Sequence, residues 1–174
     1  MSVFLQPIYT QTVGSGGAAS ITFNNIPQTF TDLKLVMSMR DTAAGSETTA
    51  LIQFNSDTTS SYNFIMLYGA SSTNTGSYQP GSPITGGTAG FYPTSDYAAN
   101  TFSSSEIYIP NYAGSNYKQY TCEAVAETNS STSWRQGLYA GLWIKTSAIS
   151  TIKLISGTAF AQYSTFSLYG ITKG

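Results

Sequence analysis

The residues with the clearest chemical potential are two carboxylates on one predicted strand, Glu123 and Glu127. Glycosidases use a pair of carboxyl groups that lie about 5–5.5 Å apart in retaining enzymes and about 6.5–9.5 Å apart in inverting ones. Two positions four residues apart on a strand are separated by about 13 Å, because each residue advances the chain by about 3.3 Å. The pair fits neither mechanism, and we interpret both residues as outward charges that keep a surface soluble.

Hydroxyl groups are abundant, because serine and threonine supply 49 of the 174 residues. A hydroxyl nucleophile needs a base beside it. The chain contains no histidine, which is the commonest general base and the commonest metal ligand. Only a lysine could serve instead, and we expect all five lysines at solvent-facing positions beside strands. These observations predict a protein that is not an enzyme.

The sequence contains few residues that could bind a metal or a cofactor. Asp41, Glu47 and Asp57 flank predicted loops, but calcium prefers several oxygens from one tight loop, and no stretch has that density of aspartates. A single cysteine, Cys122, rules out a cysteine zinc cage and an intrachain disulfide. The GSGG stretch at residues 14–17 lies between two predicted strands, so it is a turn and not a phosphate-binding loop. We predict no metal and no cofactor.

The charge of the chain is low and spread out. Charged residues make up 9% of the sequence, against about 25% in an average globular protein, and the formal net charge is −1. The seven basic residues form no cluster that could neutralise phosphates, which argues against a nucleic acid partner. No apolar run approaches the roughly 18 residues that span a bilayer, so we predict no membrane association. Residues 1–31 lack the positive charge that opens a signal peptide, so synthesis in a cytoplasm is expected.

The elements that position these side chains are predicted to be strands. Apolar and polar residues alternate with a period of two, and Gly, Asn and Pro interrupt the alternation. Many short strands with Gly- and Ser-rich turns, and no convincing helix, predict an all-β fold. We expect a jelly-roll-like antiparallel β-sandwich of about ten strands, forming a single domain over residues 1–174. The predicted strands cover residues 6–13, 19–24, 32–40, 50–55, 62–69, 105–110, 117–127, 137–144, 150–156 and 164–171.

The last predicted strand alternates cleanly. Phe166 and Leu168 fall on one face with Gly170, and polar and apolar residues share the other face. The first and last strands of a jelly roll or Greek-key sandwich often lie side by side, so that the last strand covers an edge that would otherwise be exposed. We therefore predict that residues 164–171 are needed to close the fold.

Residues 69–103 stand apart from the alternating pattern, and we predict a long surface loop there. The segment has three prolines and one charge, Asp96. Loops of this length are usually functional or disordered, and disordered segments are poor in aromatic residues. Two interpretations stay open, an ordered surface excursion or a contact loop for a neighbouring subunit or a glycan. The aromatic residues of the segment are Tyr78, Phe91, Tyr92, Tyr97 and Phe102.

Other candidate contact residues lie outside this loop. Phe4 and Leu5 belong to an uncharged N-terminal stretch, residues 2–9, that we expect to contact a partner. Trp134 lies in a predicted turn, where it could stack on a sugar ring, anchor an interface, or pack partly buried against a neighbouring strand. The predicted contact surface comprises Phe4, Leu5, Tyr78, Phe91, Tyr92, Tyr97 and Trp134.

Five stretches of the sequence together carry a family resemblance. They are ITFNNIPQTFTDLKLVMSMR (21–40), IQFNSDTTSSYNFIMLYG (52–69), IYIPNYAGSNYKQYTCEA (107–124), GLWIKTSAISTIKLIS (141–156) and STFSLYGI (164–171). In these stretches the chain resembles small all-β virion proteins of tailed bacteriophages. The resemblance covers nearly the whole chain except residues 70–103, and no catalytic residue accompanies it.

The resemblance implies a non-enzymatic structural protein on the exterior of a virion capsid. We expect a capsid decoration, or cement, protein that binds the major capsid protein and forms a homo-oligomer, with a trimer implied by the resemblance. The low charge independently suits a rigid module that docks through many weak contacts. The alternative is a tail-fibre or spike module that binds host glycans by stacking of aromatic rings.

Overall fold

Strands make up all of the regular secondary structure in residues 3–45, 47–70, 74–130 and 133–173, the part of the chain that the computed structural model describes. All ten predicted strands are present, and two more lie between the fifth and sixth of them. Among these residues there is no apolar helix of membrane-spanning length. The strands are β1 (Val3–Thr12), β2 (Ala18–Phe23), β3 (Asp32–Ser38), β4 (Thr48–Phe54), β5 (Tyr62–Ala70), β6 (Asn74–Tyr78), β7 (Gly87–Tyr92), β8 (Ser103–Pro110), β9 (Lys118–Ala126), β10 (Arg135–Trp143), β11 (Ile152–Phe160) and β12 (Thr165–Lys173).

The strands form two antiparallel sheets with the connectivity of a jelly roll. The larger sheet has the order β1-β12-β3-β8-β9-β10-β5-β6, and the smaller one has the order β2-β11-β4-β7. The quartets β1-β12-β3-β8 and β2-β11-β4-β7 are the eight strands of a double-sheet jelly roll, because the chain alternates between them as that fold requires. The β5–β6 and β9–β10 hairpins extend the larger sheet to eight strands. The predicted jelly-roll sandwich is therefore confirmed.

The core lies between the two sheets and follows the alternation seen in the sequence. Every second residue of β8, β9 and β10 is buried, while the residues between them face solvent. Aromatic rings join the layers, since Phe54 of the smaller sheet lies 5.6 Å from Trp143 of the larger sheet, centroid to centroid. Trp143 thus belongs to the packed interior.

The last strand occupies the position that the sequence predicted. β12 pairs with β1 on one side and with β3 on the other, so it lies inside the larger sheet and not at its edge. Phe166 and Leu168 are fully buried, and Ser167 and Tyr169 between them are partly exposed. β12 therefore forms ladder hydrogen bonds with two neighbouring strands, and it also contributes side chains to the core.

Glycines in the larger sheet make room for aromatic side chains. Gly141 of β10 is directly opposite Tyr120 of β9, and a Cβ atom at Gly141 would lie 2.1 Å from the Tyr120 ring. The same ring reaches across the core, where its hydroxyl oxygen would lie 2.1 Å from a Cβ atom at Gly87. Burial raises the pKa of Tyr120 well above its usual range. Neither glycine can be replaced without displacing this ring.

The prediction of one long loop over residues 69–103 is wrong, because β6 and β7 lie inside it. All six residues of β7 are buried, and four of them are Gly, Thr or Ala, so the strand shows no alternation for the sequence to reveal. β7 is the outer strand of the smaller sheet and packs against β9 and β10 of the larger one. The small side chains let the two sheets approach closely. Because both faces of β7 are then buried, its sequence does not alternate between apolar and polar residues.

Arg40 holds the irregular part of this segment against the sandwich. Its guanidinium donates hydrogen bonds to the backbone carbonyl oxygens of Ser95 (3.3 Å), Tyr97 (2.9 Å), Ala98 (2.9 Å) and Thr101 (3.0 Å). Five donors in a rigid planar fork suit several acceptors at once. The loop after β7 is therefore held in one position on the sandwich, and its contact with a neighbouring subunit or a glycan stays a prediction.

Removal of residues 164–174 is expected to abolish folding and not merely shorten the domain. The deletion leaves β1 and β3 without their shared partner and opens the core at Phe166 and Leu168. Far-UV circular dichroism and gel filtration of the truncated chain test this. A monodisperse product with unchanged β-sheet signal would contradict the expectation.

Gly141→Ala is expected to destabilise the protein by about 1–3 kcal/mol, the usual range for overpacking a well-packed core. Gly81→Ala is the matched control, because a Cβ atom at Gly81 meets no atom within 4 Å and should change stability by less than about 0.5 kcal/mol. Urea denaturation of both variants measures the difference. Equal urea midpoints for the two variants would show that the Tyr120 ring does not need the space that Gly141 leaves.

Candidate contact surfaces

The predicted contact residues do not come together on one surface. Phe4 and Leu5 are 66% and 52% exposed, and Tyr78 is 51% exposed at the opposite edge of the larger sheet. Tyr97 and Trp134 are half-buried near one another, since Ser133 donates to the Tyr97 hydroxyl at 3.3 Å. Trp134 packs near Gly69, which is the partly buried position considered from the sequence.

Phe91 and Tyr92 are buried, so the prediction that they form a contact surface is wrong. The Tyr92 hydroxyl donates to the Asp41 carboxylate at 3.2 Å and lies 3.0 Å from the Ser156 hydroxyl. Burial, followed by the nearby Asp41 charge, raises the pKa of Tyr92 to about 12 despite the hydrogen bonds that it accepts. Both residues pack inside the sandwich, and residue type alone could not distinguish them from aromatic residues on the surface.

The outer side of the larger sheet carries a group of exposed apolar residues that sequence reasoning did not single out. Leu67 and Leu138 are opposite one another in the β5–β10 ladder and are 57% and 56% exposed. The signal was present in residues 62–69, which are apolar on both faces. We name this group the apolar face; its members are Ile65, Leu67, Val125, Leu138 and Leu142.

Glu123 borders the apolar face in an unfavourable position. It is opposite Leu138 in the β9–β10 ladder and opposite Glu106 in the β8–β9 ladder. Like charges directly opposite one another destabilise a sheet. Lys34 neutralises Glu106 at 2.7 Å, but Glu123 has no ion-pair partner in the part of the chain that the structure describes. Glu123 therefore places an exposed negative charge at the border of the apolar face.

The start of β1 is apolar, and side chains on both of its faces are exposed to solvent. β1 is an edge strand that pairs only with β12 in the described sheet. Phe4 and Leu5 point to opposite faces, as successive strand residues do, and both are exposed. A register shift follows Pro7, and proline and such irregularities are typical of exposed edges. We name residues 3–7 the N-terminal arm.

The carboxylates considered for a metal are already bound by protein donors. Asp41 accepts hydrogen bonds from Ser156 (2.6 Å) and from the backbone nitrogen of Ala43 (2.7 Å). Burial acts to raise the pKa of Asp41, but the hydrogen bonds outweigh it and the pKa is lowered. Within residues 3–45, 47–70, 74–130 and 133–173, no three His, Cys, Asp or Glu side chains lie close enough together to hold a metal ion.

Asp57 organises the turn between β4 and β5. Its carboxylate accepts hydrogen bonds from the hydroxyl of Ser61 (2.5 Å), the hydroxyl of Thr59 (2.6 Å) and the indole nitrogen of Trp143 (2.8 Å). Burial acts to raise the pKa of Asp57, but these hydrogen bonds more than compensate and hold the pKa well below its usual range. The turn is thereby tied to the aromatic core.

One lysine departs from the predicted solvent-facing position. Lys118 is buried, and its ammonium donates to the backbone carbonyl oxygens of Asn116 (2.5 Å) and Thr146 (3.2 Å). Burial lowers the pKa of Lys118. Ser115 precedes it in a Ser-x-x-Lys spacing, but the donors and acceptors around Lys118 in the described residues are backbone groups. Lys118 therefore links the loop before β9 to the loop after β10.

Comparison with known proteins found no relative of this chain. No protein family model, no curated protein and no solved structure matches it. What can be inferred about function therefore comes from the residues themselves.

Stability is expected to depend on the ionisation of Asp57. Because the folded pKa is lower than the unfolded value of about 3.9, the stabilisation is present above that value and is lost as the pH falls through the folded pKa. Asp57→Asn should therefore be less stable than the wild type at about pH 7, and the gap should narrow at about pH 2.5. Urea denaturation followed by tryptophan fluorescence measures the gap.

Asp96→Asn is the control for this substitution, because the Asp96 carboxylate accepts a hydrogen bond from the backbone of Gly45 in an exposed loop and does not contact Trp143. A gap between wild type and Asp57→Asn that stays constant with pH would show that the carboxylate charge is not the source of the stabilisation.

Proposed function

We propose that this protein is a non-enzymatic structural protein of a bacteriophage virion, where it decorates the exterior of the assembled capsid. The observation that carries the proposal is the distribution of exposed apolar residues, which are concentrated in the apolar face and the N-terminal arm. Exposed apolar patches of this kind mark interaction sites. The virion setting is the part of the proposal that follows the resemblance expected from the five stretches quoted in the sequence analysis.

The proposed mechanism is stabilisation by mass action. A protein that binds the assembled shell, and not its separated subunits, shifts the equilibrium toward the shell. One bound site at a free concentration of 100 times its dissociation constant contributes about 2.7 kcal/mol. Repeated over the many equivalent sites of a capsid, such binding resists the pressure of the packaged genome. The major capsid protein is the proposed partner.

Virions that lack the protein are expected to release DNA at a lower temperature than complete virions. Binding of the added, purified protein to the deficient particles should restore the release temperature, because the effect arises from mass action alone. Release is followed by the fluorescence of a DNA-binding dye during heating. Equal release temperatures with and without the protein would contradict the proposal.

Glycan recognition by a tail fibre or spike is the second candidate. It is favoured by Tyr78, whose exposed ring lies 5.8 Å from the Phe64 ring at the edge of the larger sheet. Aromatic rings with one open face suit stacking on sugars. Copy number separates the two functions, since a decoration protein approaches the major capsid protein in abundance on a virion gel and a fibre protein is faint.

A further inference from the structure

The outer edge of β6 is open to pairing with a further strand. β6 is the last strand of the larger sheet and pairs only with β5 in the described sheet. Its five residues, Asn74–Tyr78, follow one unbroken register with β5. Thr75, Ser77 and Tyr78 are exposed. A row of backbone N–H and C=O groups on such an edge is a template for another strand.

The edges at β1, β2 and β7 carry features that hinder pairing with another chain. β1 contains Pro7, which has no N–H, and its ladder shifts register after that residue. β7 is buried at all six residues, so its backbone is not accessible. The ladder of β2 breaks after four residue pairs, and the Tyr9 hydroxyl donates to the Asn24 carbonyl just beyond the end of β2. β6, in contrast, contains no proline, no charged residue and no register shift.

The composition of β6 suits pairing with an identical strand. Residues 74–86, which are β6 and the segment that follows it, contain no charged residue, so two copies can meet there without repulsion. For the same reason β6 offers no charge by which a different protein could be selected. An antiparallel two-fold pairing centred on Gly76 places Thr75 of one copy opposite Ser77 of the other. Hydroxyl pairs of this kind stabilise antiparallel strands.

Gly76 is suited to the centre of such a contact. A Cβ atom at this position would lie 2.7 Å from the Tyr68 hydroxyl oxygen, so the Tyr68 ring covers Gly76. Tyr68 lies on the inner side of the larger sheet, where its ring is 6.4 Å from the ring of Phe91. A glycine inside a strand often marks a place where another backbone approaches closely. At the two-fold axis, the two Gly76 residues bring no side chains against each other.

We propose that two copies of this chain pair through β6, antiparallel and centred on Gly76, so that their two larger sheets become continuous. The contact uses the backbone edge together with Thr75 and Ser77, which lie outside the apolar face and the N-terminal arm. A two-fold contact closes on itself and gives a dimer, not the trimer that the resemblance implies. The pairing does not depend on the proposed function, because it forms without a capsid.

Charge complementation, followed by sedimentation of the purified protein between about 1 μM and about 1 mM, tests the contact. Thr75→Lys combined with Ser77→Lys places lysine opposite lysine and should weaken self-association by about tenfold or more, and the corresponding pair of glutamates should do the same. An equimolar mixture of the two variants should form a dimer of twice 18.6 kDa, because opposite charges then face each other. Thr121→Lys, exposed on β9, is the control and should associate like the wild type.

Cysteine cross-linking tests the register. Opposed residues of antiparallel strands have Cα atoms about 4.5–5.5 Å apart, which is within the range of a disulfide. A mixture of Thr75→Cys and Ser77→Cys should therefore cross-link on mild oxidation. Neither variant alone should cross-link, because identical positions lie diagonally, about 7–8 Å apart. Cys122 is buried and should not react.

Far-UV circular dichroism confirms that each variant is folded, and the cysteine variants decide the question if the charged ones are not. A wild type that stays monomeric over the whole concentration range, or that sediments as a trimer, would overturn the proposal. So would lysine variants that associate like the wild type, a mixture of charged variants that stays monomeric, or a cysteine variant that cross-links with itself. Because no capsid is present in these measurements, their failure is distinct from a failure of the DNA-release experiment.

Discussion

The structure depends on the insertion of β12 between β1 and β3. A jelly roll alternates its chain between two sheets, so the larger sheet is continuous only when the last strand returns to lie beside the first. The same strand buries Phe166 and Leu168 against the smaller sheet. Because β1 pairs with β12 alone, the N-terminal arm and its exposed residues are held in place by this strand.

Low charge and dense hydrogen bonding go together in this protein. With few ion pairs, loops are tied down by single side chains that satisfy several backbone or hydroxyl partners at once. Arg40 binds four carbonyl oxygens of the loop after β7, and Asp57 accepts three side-chain donors in the turn after β4. Polar groups that are removed from water are usually paired, and Arg40 and Asp57 each also order a connection between strands.

Prediction succeeded where local pattern and tertiary environment agree. Period-two alternation located ten strands, and the clean alternation of residues 164–171 located the closing strand. It failed in residues 69–103, because β7 is buried on both sides and its small residues carry no alternation. Of the candidate contact residues, Phe4, Leu5 and Tyr78 are exposed, while Phe91 and Tyr92 are in the core. An aromatic residue looks the same in sequence whether it covers a core or faces solvent.

The sequence by itself determined the all-β class, the faces of most strands and the scarcity of groups for proton transfer, because these follow from residue type and from a period of two. Only the tertiary structure decided which exposed residues lie together. The apolar face joins β5 to β9 and β10, which are distant in sequence, and the pairing of Glu123 with Glu106 depends on strand register. Register and strand order are set by packing across the whole sandwich, so no local stretch of sequence contains them.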